Sequence, residues 1–172
     1  MGTGSSSEPG AYGSMTLPRE LHAKNEHVYT KPVEEVYTLL GDTVYESTGS
    51  EIKVGSISDN RYYASVSFEE TGDFNILLGQ DGDKSISLTA EGGKVFFKMA
   101  GVKSDKVQFV SSVEECRNAE IFVDGRTIEV YLNDGEDVGT RLFYNSNRQG
   151  IFCLNSEKDA QVKICEMKSI WK

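Results

Sequence analysis

Residues 119–144, A-E-I-F-V-D-G-R-T-I-E-V-Y-L-N-D-G-E-D-V-G-T-R-L-F-Y, constrain the fold more than any other stretch. Two runs rich in β-branched and aromatic residues are split by Asp124-Gly125, and a second split follows at Asn133-Asp134-Gly135. Such sequences supply the positive φ that a tight hairpin demands. In the middle run Ile128, Val130 and Leu132 alternate with Thr127, Glu129 and Tyr131. A period of two sends the aliphatic set to one face of a sheet and the polar and aromatic set to the other. The reading is a β-meander with one face buried and one largely wet. Glu129 falls on the polar side, and Arg141 is its expected cross-strand partner.

The same grammar recurs along the chain. Arg61 to Phe68 alternates Tyr63, Ser65 and Ser67 against Tyr62, Ala64, Val66 and Phe68; Asp73 to Gln80 carries Phe74, Ile76 and Leu78 on one face. After a turn at Asp81-Gly82-Asp83 come Ser85 to Ala90, a turn at Glu91-Gly92-Gly93, Lys94 to Met99, and Lys106 to Val110. Beyond the meander, two strands are expected over Gly150 to Asn155 and Gln161 to Trp171. Short strands at intervals of roughly ten residues predict an all-β fold, a two-sheet antiparallel β-sandwich of jelly-roll or lectin-like form. Lys31 to Leu40 holds the one helical spacing, with Pro32 at N1 and Val33, Val36, Tyr37 and Leu40 apolar. Residues 1–14 are Gly/Ser-rich and read as a disordered leader, a linker or a tag. Residues 15–40 read as a junction segment and 41–172 as the sandwich. Met15 to Leu21 contains Pro18, which suits an edge strand or an extended linker.

The 172 residues suffice for one domain with a full core. A net charge of -9 repels phosphate backbones and anionic membranes, so neither nucleic acid nor membrane is expected as a partner. Cys116, Cys153 and Cys165 form no Cys-x-x-Cys pair and are odd in number, which predicts reduced, mostly buried thiols. With no Asn-x-Ser/Thr sequon, this favours a cytoplasmic setting. No apolar run approaches the roughly 20 residues of a membrane helix. His22 and His27 are isolated from the cysteines and read as surface residues, so no metal site and no cofactor are expected. Asp81-Gly-Asp83 and the group Asp134, Glu136 and Asp137 match turn chemistry better than a calcium loop.

Three segments, in order, resemble glycoside hydrolase family 32, the invertases, levanases, inulinases and sucrose-6-phosphate hydrolases. Met15-Thr-Leu-Pro-Arg-Glu-Leu21 resembles a signature near that family's domain junction, continued by Tyr29, Lys31-Pro32-Val33 and Glu34-Glu35. Ile121 to Gly135 is similar to the family's IFVD…EVF-x-NDG run, and Met167 to Trp171 to its last strand. Gly125-Arg126-Thr127 departs from the common Arg-Ser-Ser. The resemblance implies a C-terminal β-sandwich that follows a five-bladed catalytic β-propeller.

The chemistry of that family needs two carboxylates about 5 Å apart. The Trp-Met-Asn-Asp-Pro-Asn-Gly-like and Arg-Asp-Pro motifs that the resemblance would require are not in the sequence. Glu115-Cys116 mimics the family's acid/base motif, but Arg117 stands where Pro is usual, and one carboxylate without its partner cannot run the displacement. No catalytic residue is therefore assigned, and the expected role is to stabilise the propeller. Met15, Leu17, Arg19 and Leu21 are the expected propeller-facing residues, and their exposure in an isolated chain predicts self-association. The rival reading is a free-standing fructan- or oligosaccharide-binding module, with Tyr62, Tyr63 and Tyr131 as exposed aromatics lining a sugar-binding face. Trp171 reads as a core plug at the chain end.

Overall fold

The computed structural model describes residues 15–101, 107–146 and 148–168. The expected leader, the strand start at Lys106 and Trp171 lie outside the described residues. Twelve strands, a single α-helical turn and two short 3-10 turns, Ser58–Asn60 and Asn133–Gly135, are present among them. The first pair is β1 (Arg19–Lys24) and β2 (His27–Pro32), closed by Asn25 and Glu26 at φ 51° and 62°. The turn α1 (Glu34–Tyr37) follows, then β3 (Leu40–Ile57) and β4 (Arg61–Phe68). Next come β5 (Phe74–Asp81), β6 (Lys84–Glu91), β7 (Lys94–Ala100) and β8 (Val107–Val110). The meander is β9 (Asn118–Asp124), β10 (Thr127–Leu132) and β11 (Asp137–Leu142), and β12 runs from Gly150 to Met167.

Ten strands form one antiparallel sheet in the order β11-β10-β9-β4-β12-β5-β6-β7-β8, with β3 paired to β12. This sheet folds over into the two layers of a sandwich. β12 joins the layers: Ala160 to Glu166 pairs with β4, and Cys153 to Ser156 pairs with β5. The ladder with β3 shifts register between Asn155 and Ala160, where the strand passes from one layer to the other. A bulge of this kind bends a strand and turns its side chains. The polar run Ser156-Glu157-Lys158-Asp159, which looks like a turn between two strands, is thus the bend of one long strand. On the far side the layers meet directly: a Cβ at Gly139 of β11 would touch Phe109 and Phe97 at 3.3 and 3.4 Å.

The core lies between the layers and draws on both, with Val66, Ile121, Val130 and Ile164 from one and Ile76, Leu88, Phe97 and Phe152 from the other. Each such side chain contributes about 1.5–3 kcal/mol by leaving water. The alternation seen in the sequence is obeyed: Tyr62, Ala64, Val66 and Phe68 are buried on the inner face of β4.

The helical spacing over Lys31 to Leu40 yields only four helical residues. Pro32 is not at N1. It closes β2 opposite Arg19, at a strand end where its missing N–H costs nothing. Val33 stays extended at φ −64° and ψ 152°, and its N–H donates to the Pro18 carbonyl at 3.1 Å.

Candidate functional site

The chemistry-bearing side chains of the meander collect on the outer face of β4, β9, β10 and β11. Register dictates which meet. Tyr63 lies opposite Phe122, Phe122 opposite Glu129, and Glu129 opposite Thr140. Glu120 lies opposite Tyr131. The junction segment covers this face, and Leu17, Val33, Tyr37 and Leu40 pack on Val36, Tyr63, Phe122, Tyr131, Cys165 and Met167 in a second apolar cluster. The aromatic rings meet edge-on or tilted, with Tyr63–Phe122 centroids 4.9 Å apart and Phe122–Tyr131 5.8 Å apart. These arrangements suit the ring quadrupoles.

Within the cluster Glu129 is only 2 % exposed. Its Oε2 accepts from the Arg19 guanidinium at 2.5 Å and from the Tyr131 hydroxyl at 2.9 Å, while Oε1 accepts the backbone N–H of Leu17 at 2.6 Å. Arg19 also donates to Thr140 Oγ1 at 2.7 Å and to the Tyr131 hydroxyl at 3.1 Å. A buried carboxylate is tolerated only when its lone pairs are met by donors and a counter-charge, and this one has both. Burial alone would lower the Arg19 pKa, but the bond to Glu129 and the neighbouring charge outweigh it and hold it above its ordinary value. A second carboxylate, Glu120, accepts from Tyr63 at 2.6 Å and Tyr37 at 2.9 Å. Desolvation, then Glu120, push the hydroxyls of Tyr37 and Tyr63 well above the usual tyrosine range; desolvation and Glu129 do the same for Tyr131.

This geometry corrects three readings of the sequence. Glu129 does not pair with Arg141, which stands opposite Ile128; its partner is Arg19, about a hundred residues earlier in the chain. The face is not wet, because the junction segment lies on it. The three tyrosines are not exposed aromatics: Tyr62 is fully buried in the main core, Tyr131 is 1 % exposed and Tyr63 is 8 % exposed. None of the three offers a ring to a sugar in this fold. Tyr62 points inward because it has the inward parity of β4, and its hydroxyl donates to the Ile151 carbonyl at 2.7 Å.

The four expected propeller-facing residues divide. Leu17 and Arg19 are already engaged with the sandwich, whereas Met15 is 91 % exposed and Leu21 70 % exposed. Glu115 is exposed and bonds Arg117 at 3.1 Å, beside a Cys116 thiol that burial pushes up to about 12. The cysteines are free, with Cys116 and Cys165 buried and Cys153 half-buried. Asp81 accepts from the Ser146 hydroxyl and Asp137 from Ser111 and Ser112, as turn carboxylates do. His27 is tied to the Glu136 carbonyl at 2.9 Å, and His22 sits beside Glu20 at 2.8 Å. A cleft of about 520 Å³ lies where the β1–β2 hairpin meets the Asn133–Gly135 turn, lined by Glu20, His22, Lys24 and Lys31 on one side and Asp134 and Glu136 on the other. The bonds to Glu129 and Glu120 clamp the junction segment onto this face of the sheet.

Similarity to known proteins follows the same boundaries. The family described as "Glycosyl hydrolases family 32 C terminal" matches residues 35–170. A sucrose-6-phosphate hydrolase of Lactococcus lactis subsp. lactis is 23 % identical, covering 91 % of this chain and 32 % of its own. A glycoside hydrolase family 32 structure from Bifidobacterium adolescentis superposes with a TM-score of 0.82 and 29 % identity, over 91 % of this chain and 26 % of that one. The exo-inulinase of Aspergillus awamori shares the fold with a TM-score of 0.72 at 16 % identity, over 91 % and 36 %. This chain thus spans about a third or less of the length of the relatives first matched. It belongs to glycosyl hydrolase family 32, as a C-terminal domain of that family.

Proposed function

We propose that this chain is the non-catalytic β-sandwich of a sucrose- or fructan-cleaving glycosidase and that it stabilises the catalytic β-propeller preceding it. The observation that carries the reading is the match over residues 35–170 to the C-terminal part of the family, joined to a segment whose two ends, Leu17 with Arg19 and Val33 to Leu40, are bound down on the sandwich. The names of the relatives supply the substrate class, and the propeller is the partner that the family resemblance implies. A saturated Glu129 and a closed aromatic cluster fit a mechanical role: they fix where the chain enters the sandwich. The sugar-binding alternative loses its three proposed platforms to burial.

The test is a chimera in which the catalytic portion of the Bifidobacterium adolescentis enzyme is followed by residues 15–172. A melting temperature for the catalytic portion several degrees above that of the same portion alone is expected, with no sucrose hydrolysis by the isolated chain. Turnover by the isolated chain, or no gain in the chimera, would reject the proposal. Saturable NMR shifts with a fructo-oligosaccharide would reinstate the binding module.

A further inference from the structure

The junction segment covers only one end of the sheet face on which it lies. Cys165, Tyr63 and Phe122 sit beneath it. Register sets two further rows across the same strands, Glu46–Lys163–Ser65–Glu120 and Thr48–Gln161–Ser67–Asn118. Neighbouring strands lie about 4.8 Å apart, so each row of four spans roughly 14 Å. On β3 and β12 both rows are bare: Glu46, Thr48, Gln161 and Lys163 are exposed. The bare part is hollow. A groove of about 310 Å³ over Ser65, Ser67, Gln161 and Lys163 runs into a second of about 450 Å³ beside Glu69 and Asp159. Thr48, Ser67 and Gln161 line both.

The side chains at this shared centre are uncommitted. Among the described residues, Thr48, Ser67 and Gln161 make no side-chain hydrogen bond. Elsewhere on the face Glu120, Glu129 and Thr140 are all engaged. Two hydroxyls and a planar amide each donate and accept, which is the complement of a polyol. The rim carries Glu46, Glu69, Glu70, Glu157 and Asp159 against Lys158 and Lys163. Both lysines lie beside a carboxylate, Lys158 at 2.5 Å from Glu70 and Lys163 at 3.9 Å from Glu46. That excess of negative charge turns phosphate esters away. The stem of Lys163 adds apolar surface to the floor. We infer that the groove across β3, β12 and β4 holds a neutral oligosaccharide chain, a fructan segment of the substrate class proposed above. Two joined hollows suit a chain of several units rather than a single ring. The identity of the sugar rests on the proposed function. The groove adds a second role on ground that the clamp leaves bare, and it uses none of the three buried tyrosines.

An amide NMR titration of the intact chain with an inulin-type fructo-oligosaccharide tests this. Saturable shifts are expected at Thr48, Ser67 and Gln161, with a Kd of about 1 mM. Sugar protons should give cross-relaxation to the Gln161 side-chain amide, a readout that needs no variant. Thr48→Val and Gln161→Ala stand at exposed strand positions and are expected to leave the melting temperature unchanged. Each should weaken binding roughly tenfold, since each removes a hydrogen-bonding group from the groove. Sucrose-6-phosphate at the same concentrations should produce no shift. Shifts that do not saturate overturn the inference, as do shifts centred on the hairpin cleft or binding that both variants retain in full. Equal binding of a malto-oligosaccharide overturns the assignment to fructan. A stabilised chimera whose groove binds no sugar keeps the stabilising role and rejects only this inference; a groove that binds in a chimera without stabilisation does the reverse.

Discussion

Replacing Glu129 with Gln keeps its shape and removes the charge that Arg19, the Leu17 amide and Tyr131 converge on. Arg19 is about a quarter exposed, so water recovers part of the loss. The expected cost is about 2 kcal/mol, below the full price of breaking a fully buried pair. That corresponds to a fall of roughly 4–8 °C in melting temperature for a chain of this size. A double-mutant cycle with Arg19→Ala should be non-additive, since both substitutions remove one interaction. The raised tyrosines make a separate prediction. Tyr37, Tyr62, Tyr63 and Tyr131 lie above their ordinary 10.0 in the fold, because burial opposes the phenolate. Their contribution is fully present below about pH 10 and is lost as the pH rises past it, since the unfolded chain releases those protons first. Absorbance at alkaline pH should show four of the eight tyrosines ionising only as the far-ultraviolet signal of the sheet collapses.

At the scale of elements, the turn at Asn133–Gly135 is where the meander touches the hairpin. Gly135 sits at φ +88°, and a Cβ there would lie 2.2 Å from the Thr30 carbonyl oxygen of β2. Gly135→Ala therefore combines left-handed strain with a backbone clash, and should cost at least about 1–3 kcal/mol or push the hairpin away. Loss of the His27 ring shift associated with the Glu136 carbonyl would report the second outcome. Short elements with clean period-two patterns were legible in the sequence. β4 spans Arg61–Phe68 as its alternation predicts, and β9 to β11 follow the meander. β12 was not, because Ser156 to Asp159 carries turn-like polarity while its backbone crosses between layers. The site was half legible. Arg19 and Glu129 were each singled out, but their pairing depends on a fold-back of the junction that no local pattern encodes.

For the whole molecule, the sandwich depends on the strand that belongs to both layers. Phe152 is fully buried in β12 and faces the shared core. Phe152→Ala should cost about 3–5 kcal/mol, a large part of a typical domain's stability. A single cooperative transition at a lower denaturant midpoint with an unchanged slope would confirm that one core serves both layers. The same strand bears on how the chain reaches its native state. β12 pairs with β3 along its length, joining segments separated by on the order of a hundred positions, and it alone connects β4 to β5. Refolding should accordingly be slow, on the scale of milliseconds to seconds expected of non-local β topologies. On the ribosome, every strand from β3 to β11 is made before the one that unites them, so the nascent sheet edges stand open until β12 emerges.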